Sequence, residues 1–356
     1  MKEMKKNTVV YNEYEGGQYF GERNNPYHTL IKGTSNGIIH PQTEIIGLRA
    51  FSGVNGLEKI RIPESVRKID GAAFLGAPDL AEVLLPDSVE EIGLFAFKDC
   101  RKLRRVCFGE GLQEIQADAF CHCTDLESIE DLPPETRLGS GAFYDCPKLQ
   151  DETGVVIING VLCQDFRMQE DVVIPEGVWR IDGCAYGDSV GELQGYRKIV
   201  YDHYFEQRKK IRSVTSSSGV REIGVYAFAK CDNLMEINWQ EGIEKIGCGA
   251  FQGCPRLKTV ELPHSVKLIE VYAFANCKDL ERIVLHGNIQ FMHPCALEGS
   301  NNLREIIVPK TIKRIPGFKL QSYGMRRKPV WLKKAIKEEK TDYTRLGSLI
   351  KRSGED

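Results

Sequence analysis

Twelve cysteines in 356 residues are the side chains with the most evident chemistry. As thiolates they could attack a carbonyl, ligate zinc or pair as disulfides. Their spacing argues otherwise. Cys100, Cys123 and Cys146 lie 23 residues apart, as do Cys231, Cys254 and Cys277, and the same place is taken by Val54, Ala77 and Ser300 in looser copies of the surrounding sequence. A position that accepts valine or alanine asks for a small buried side chain, which is how free cysteine commonly behaves. The alternative, a disulfide or metal ladder between copies, needs paired Cβ geometry that a parallel stack does not normally offer. Cys121-His122-Cys123 is the only local Cys/His cluster, and it lacks the two separated ligand pairs of a zinc site. No metal site is expected.

Other catalytic signatures are missing too. The sequence holds no phosphate-binding glycine loop, no nucleophile elbow and no histidine-metal helix. Its seven histidines, among them His203, His264, His286 and His293, do not cluster in sequence, although stacked repeats could bring distant ones together. The expectation is a protein that is not an enzyme and uses no cofactor. Net charge is −2 with 28% charged residues, so no strong overall field steers the chain toward nucleic acid or acidic membranes.

The elements that position these residues follow from the repeat. AFKDCRKL (96 to 103) returns as AFCHCTDL, AFYDCPKL, AFAKCDNL, AFQGCPRL and AFANCKDL, with looser copies at 50, 73 and 296. A fixed period in this range marks a solenoid, in which each unit buries its apolar face only against its neighbours. After the Leu comes a run such as Leu103, Val106 and Phe108, the L-x-x-L-x-L pattern of a leucine-rich-repeat strand with one buried face. Pro63, Pro86, Pro175, Pro263 and Pro309 then end that strand. The next apolar pair, as in Val66 and Ile69, is three apart, which predicts a turn or short helical segment. The Phe of each copy, from Phe51 to Phe274, carries the largest apolar area between coils.

IEVYAFANCKDLERIVL (269 to 285) and IGCGAFQGCPRLKTVELPHSV (246 to 266) resemble the bacterial BspA-like leucine-rich-repeat proteins, and the resemblance extends over about residues 41 to 315. It implies a right-handed superhelix with a parallel strand sheet on its concave face, in proteins usually described as surface or adhesion modules that bind other proteins. It brings no catalytic residues.

Five regions are expected: an N-terminal cap over 1–40, repeats over 41–150, a hairpin, divergent repeat and insertion over 151–219, repeats over 220–316, and a basic helical cap or tail over 317–356. Asn159-Gly160 between β-rich runs signals the hairpin. The insertion, about 187–219, is either a functional loop or a disordered one. Its Tyr196, Tyr201, Tyr204 and Phe205 beside Arg208, Lys209, Lys210 and Arg212 could stack on or grip a partner. Residues 319–356 carry +6 and the rest of the chain −8. Leu332, Ala335, Ile336, Tyr343, Leu346 and Ile350 fall at roughly helical spacing, and a basic arm for an acidic partner is the competing reading.

Two columns of outward strand positions are predicted to line the concave face. One contains Arg105, Glu236, Arg282 and Glu305. The other contains Glu261, Val284 and Ile307, the last two forming a small apolar patch. With Tyr201 and Tyr204 these are the candidate partner-binding residues, and their mixed charge predicts no single ligand class. The function expected is a monomeric, non-catalytic protein-interaction module with a protein partner, no specific nucleic acid and no transmembrane segment. An adhesin and an intracellular spacer are the alternatives. The N-terminus shows no apolar signal region, so the chain as written is expected in the cytoplasm, or at the cell surface if a leader is missing.

Overall fold

The computed structural model describes residues 9–183, 185, 208–286, 289–308 and 350–352. The chain divides into two compact units, Met1–Asn159 and Gly160–Asp356.

The first unit opens with three antiparallel strands, β1 (Val10–Tyr14), β2 (Gly17–Glu22) and β3 (Asn25–Lys32). β3 then pairs in parallel with Ile45–Ile46, so the antiparallel sheet passes directly into the stack of coils. Each coil contributes two short strands. One set, Lys59–Arg61, Glu82–Leu84, Arg105–Cys107 and Ser128–Glu130, forms a parallel four-stranded sheet, here the long-strand face. The other, Lys68–Ile69, Glu91–Ile92, Glu114–Ile115 and Arg137–Leu138, continues the sheet begun by β1. This second sheet corrects the expectation of turn or helical structure around Ile69. Two residues suffice for a strand here because the coils above and below supply partners on both sides.

The third side of the coil is the Ala-Phe turn, which has a ladder of its own. The Phe51, Phe74, Phe97 and Phe120 amides donate to the alanine carbonyls of the next coil at 2.6 to 2.8 Å. Two residues per turn adopt positive φ, and the second falls two places after the Phe: Gly53, Gly76, Asp99, His122 and Asp145 in this unit. Gly and Asp are among the residues that enter that region most readily.

Inside, the Phe rings stack without a break from Phe51 to Phe143, with centroids 4.8 to 5.2 Å apart and planes within 5° of parallel. All are fully buried.

The second unit repeats the plan. Its long strands are Asp171–Val173, Ser213–Thr215 and Glu236–Asn238 in one sheet, and Thr259–Glu261, Arg282–Val284 and Glu305–Val308 in another. Phe228, Phe251 and Phe274 stack at 5.4 and 5.3 Å. Asn159 and Gly160 have φ of 48° and 71°, the signs that a type I′ turn needs.

Helical structure is scarce among the described residues: a 3-10 turn at Pro147–Leu149 and one turn at 208–210. Most of the expected C-terminal helical cap lies outside the described residues. Ile350, assigned to that helical pattern, instead lies in the strand Ile350–Arg352, which pairs in parallel with Glu305–Val308. No helix of the described residues is long and apolar enough to cross a membrane.

Candidate interaction face

The cysteines of the repeat position are structural. Cys100, Cys123 and Cys146 each donate S–H to the Phe carbonyl 26 residues earlier, Phe74, Phe97 and Phe120, at 3.1 or 3.2 Å. Cys254 and Cys277 do the same to Phe228 and Phe251. Ser300 repeats the bond to Phe274 at 2.8 Å. The position therefore asks for a small side chain that can also donate, a requirement that the serine copy hinted at. Burial pushes the Cys100 and Cys277 thiols up to about 12, so at neutral pH they are neither nucleophiles nor metal ligands. All eleven described cysteines are free. In Cys121-His122-Cys123, Cys123 is committed to Phe97 and His122 Nδ1 hydrogen-bonds Asp145 Oδ2 at 2.7 Å.

The candidate strand residues fall on the long-strand face, and its two versions differ. In the first unit Lys59 Nζ lies 2.7 Å from Glu82 Oε2, and Glu82 Oε1 accepts from Arg105 Nη1 at 3.2 Å. Arg105 then forks onto Glu130, with Nε to Oε1 at 2.9 Å and Nη2 to Oε2 at 2.6 Å. The hydrogen bond to Glu130 raises the Arg105 guanidinium and holds the Glu130 carboxyl down. Lys59, Glu82, Arg105 and Glu130 thus neutralise one another across four coils. Arg105, a candidate for partner binding, is held by two carboxylates.

In the second unit the column runs Asp171, Ser213, Glu236, then Thr259, Arg282, Glu305. Ser213 Oγ donates to Asp171 at 2.7 Å. Glu236 is exposed and has no cation partner among the described residues. Arg282 Nε reaches Glu305 only at 3.9 Å, and both are part-exposed. Glu261 accepts from His286 Nε2 at 2.8 Å. Val284 is only 5% exposed, flanked in the ladder by Glu261 and Ile307, so the expected Val284–Ile307 surface patch is not formed. Tyr201 and Tyr204 lie outside the described residues.

Between Glu236–Asn238 and Thr259–Glu261 the strand ladder stops, and the two belong to different sheets. Trp239 stands at this seam, where other coils carry Ile62, Leu85 or Leu262. Its ring meets Phe251 edge-on at 5.6 Å, and its buried Nε1–H has no acceptor among the described residues. Phe108, one ring smaller at the same position, makes a similar edge contact to Phe120 at 5.9 Å while its amide still bonds Glu130 O at 2.9 Å. Indole bulk thus coincides with the opening. Ile237 beside it is half-buried, whereas its counterparts Val214 and Val260 are buried. The seam was missed in sequence, although a Trp in a column of aliphatics was a visible signal.

The family described as BspA type leucine rich repeat region matches residues 32–150 and 198–321, in six copies. Among solved structures, the chain is similar to a leucine rich cell surface protein of Faecalibacterium prausnitzii, with 22% identity over 85% of this chain and 95% of that one, and a TM-score of 0.39. The pneumococcal vaccine antigen PcpA matches at 20% identity over 85% and 88%, with a TM-score of 0.42. A leucine-rich repeat protein from Bacteroides ovatus matches at 20% over 87% and 95%, with a TM-score of 0.33. No curated protein matches the chain. On the extent of the repeat match, which takes in well over half of its residues, the chain belongs to the BspA-type leucine-rich-repeat family.

Proposed function

We propose that the chain is a non-catalytic protein-binding module whose contact surface is the long-strand face of the second unit. One observation carries this: on that face Glu236 has no cation partner among the described residues, Arg282 comes no nearer than 3.9 Å to Glu305, and the strand ladder is open at Trp239. Exposed charge and unmade backbone hydrogen bonds are what a partner with mixed charge and an extended segment can satisfy. On the first unit's face Lys59, Glu82, Arg105 and Glu130 already hold one another. Solenoids serve this role generally, through extended surface and no reaction centre.

The test is affinity capture from the source cells by wild type, by Glu236→Lys with Arg282→Glu, and by Arg105→Glu. Proteins retained reproducibly by wild type and by the first-unit variant, but released by the second-unit double variant, support the reading. An unchanged set with the double variant overturns it.

A further inference from the structure

The first unit begins with an open sheet edge. β1 ends the eight-stranded sheet and has β2 as its one neighbour there. Its register to β2 is regular from Val10 to Tyr14, whereas the β2–β3 pairing shifts twice. Glu15 and Gly16 make the turn between them with φ of 49° and 80°, the type I′ form that closes on a hydrogen-bonded pair, here Tyr14 and Gly17. Alternation then commits the backbone groups of Tyr14, Asn12 and Val10 to β2 and turns those of Tyr11 and Glu13 outward.

Natural edges are commonly blunted by lysine, proline, a bulge or a covering group. The strand VYNEY has no lysine, proline or bulge, and among the described residues no backbone group outside the sheet bonds Tyr11 or Glu13. In the second unit, by contrast, Arg167 Nη2 covers the Val173 carbonyl of the end strand Asp171–Val173 at 3.1 Å. The outer face beside the β1 edge is also apolar. Tyr11 is 74% exposed, Val9 53%, and Phe20, which pairs with Tyr11, 36%.

We propose that β1 pairs antiparallel with β1 of a second copy, about a two-fold axis at Asn12, making the chain a homodimer rather than the monomer expected from sequence. In that register Tyr11 and Glu13 face the second copy's Glu13 and Tyr11, and each such pair exchanges two backbone hydrogen bonds. The two Tyr11 rings fall diagonal to each other within contact range, so the Tyr11–Phe20 patches join. A register that sets Glu13 against Glu13 is disfavoured by like charge. Charge also favours a second copy as the occupant. Lys2, Lys5 and Lys6 precede β1 in sequence, against Glu3 alone, while the hairpin carries Glu13 and Glu15. Antiparallel pairing directs the basic stretch of each copy toward the acidic turn of the other. The edge is short, so the dimer is reversible and forms with rising concentration.

The test is sedimentation equilibrium of the full chain from micromolar to millimolar concentration, with melting curves confirming that each variant is folded. Wild type passes from one chain mass to two. Glu13→Pro removes an outward N–H without touching the bonds to β2, and Tyr11→Glu sets like charges opposite each other; each acts twice across the axis and weakens the dimer by about tenfold or more. Adding Glu13→Lys to Tyr11→Glu restores an opposite-charge pair in this register and recovers the dimer. A wild type that stays at one chain mass throughout, with the edge covered by the chain's own basic start or by another protein, overturns the proposal. So does a dimer left undiminished in the folded single variants, or one that the double variant fails to recover.

Discussion

On the long-strand face of the first unit, Lys59, Glu82 and Arg105 alternate in sign from coil to coil and pair, and Glu130, two places beyond Ser128, completes the set. In the second unit, Ser213 and Thr259 interrupt the same column, leaving Glu236 between two uncharged neighbours. The backbone plan is common to both. Residues one period apart become lateral neighbours at the spacing of adjacent strands, about 4.8 Å, so the sign of each side chain decides whether a face satisfies itself. A solenoid can therefore set aside a contact surface without altering its core, by breaking the alternation.

The comparison predicts where substitutions hurt. The largest effects lie in the core common to both units. Phe97→Ala and Phe251→Ala each remove a fully buried ring from between two others and should cost about 3 to 5 kcal/mol in denaturant melts. The tighter stack around Phe97 puts that variant at the upper end. A much milder Phe97 variant would break the idea that the first unit is the better-knit stack.

Alkaline pH acts on both units. The Cys100 and Cys277 thiols titrate near 12 in the folded chain but near 8.5 when unfolded. Above about 8.5 the unfolded state binds fewer protons, so stability falls as pH rises toward 12. Cys100→Ser and Cys277→Ser should each flatten that decline in a Tm-versus-pH series. Replacement by serine should itself change stability by less than about 1 kcal/mol, since Ser300 makes the same bond and a typical net hydrogen bond is of that size.

Smaller effects separate the two faces directly. Arg105→Ala should lower Tm measurably, with the loss shrinking in high salt as screening weakens the ladder. Arg282→Ala, losing a contact at 3.9 Å, should leave Tm nearly unchanged. Equal responses would erase the distinction between self-neutralised and uncommitted faces.

Much of the fold was readable in the sequence because the 23-residue period states it repeatedly. The Phe column, the cysteine column and the strand after each Leu all follow from residue types that recur in register. Lys68–Ile69 and its counterparts were harder to see, because a two-residue strand leaves no alternation to detect and exists only through its neighbours. The binding columns could be enumerated, but whether Arg105 was paired depended on reach between coils. Val284 looked exposed by period alone, and the residues beside it in the ladder leave it covered.

The most direct test of the central contrast is hydrogen exchange resolved along the chain. The amides of 82–85 and 105–108 should be strongly protected in their ladder, while those of Trp239, Lys258 and Thr259, which face the seam without the backbone bonds that their counterparts Leu85, Arg104 and Arg105 make, should exchange markedly faster and slow again in Trp239→Phe. Equal protection of the two sets in wild type would contradict the open face on which the proposed function rests.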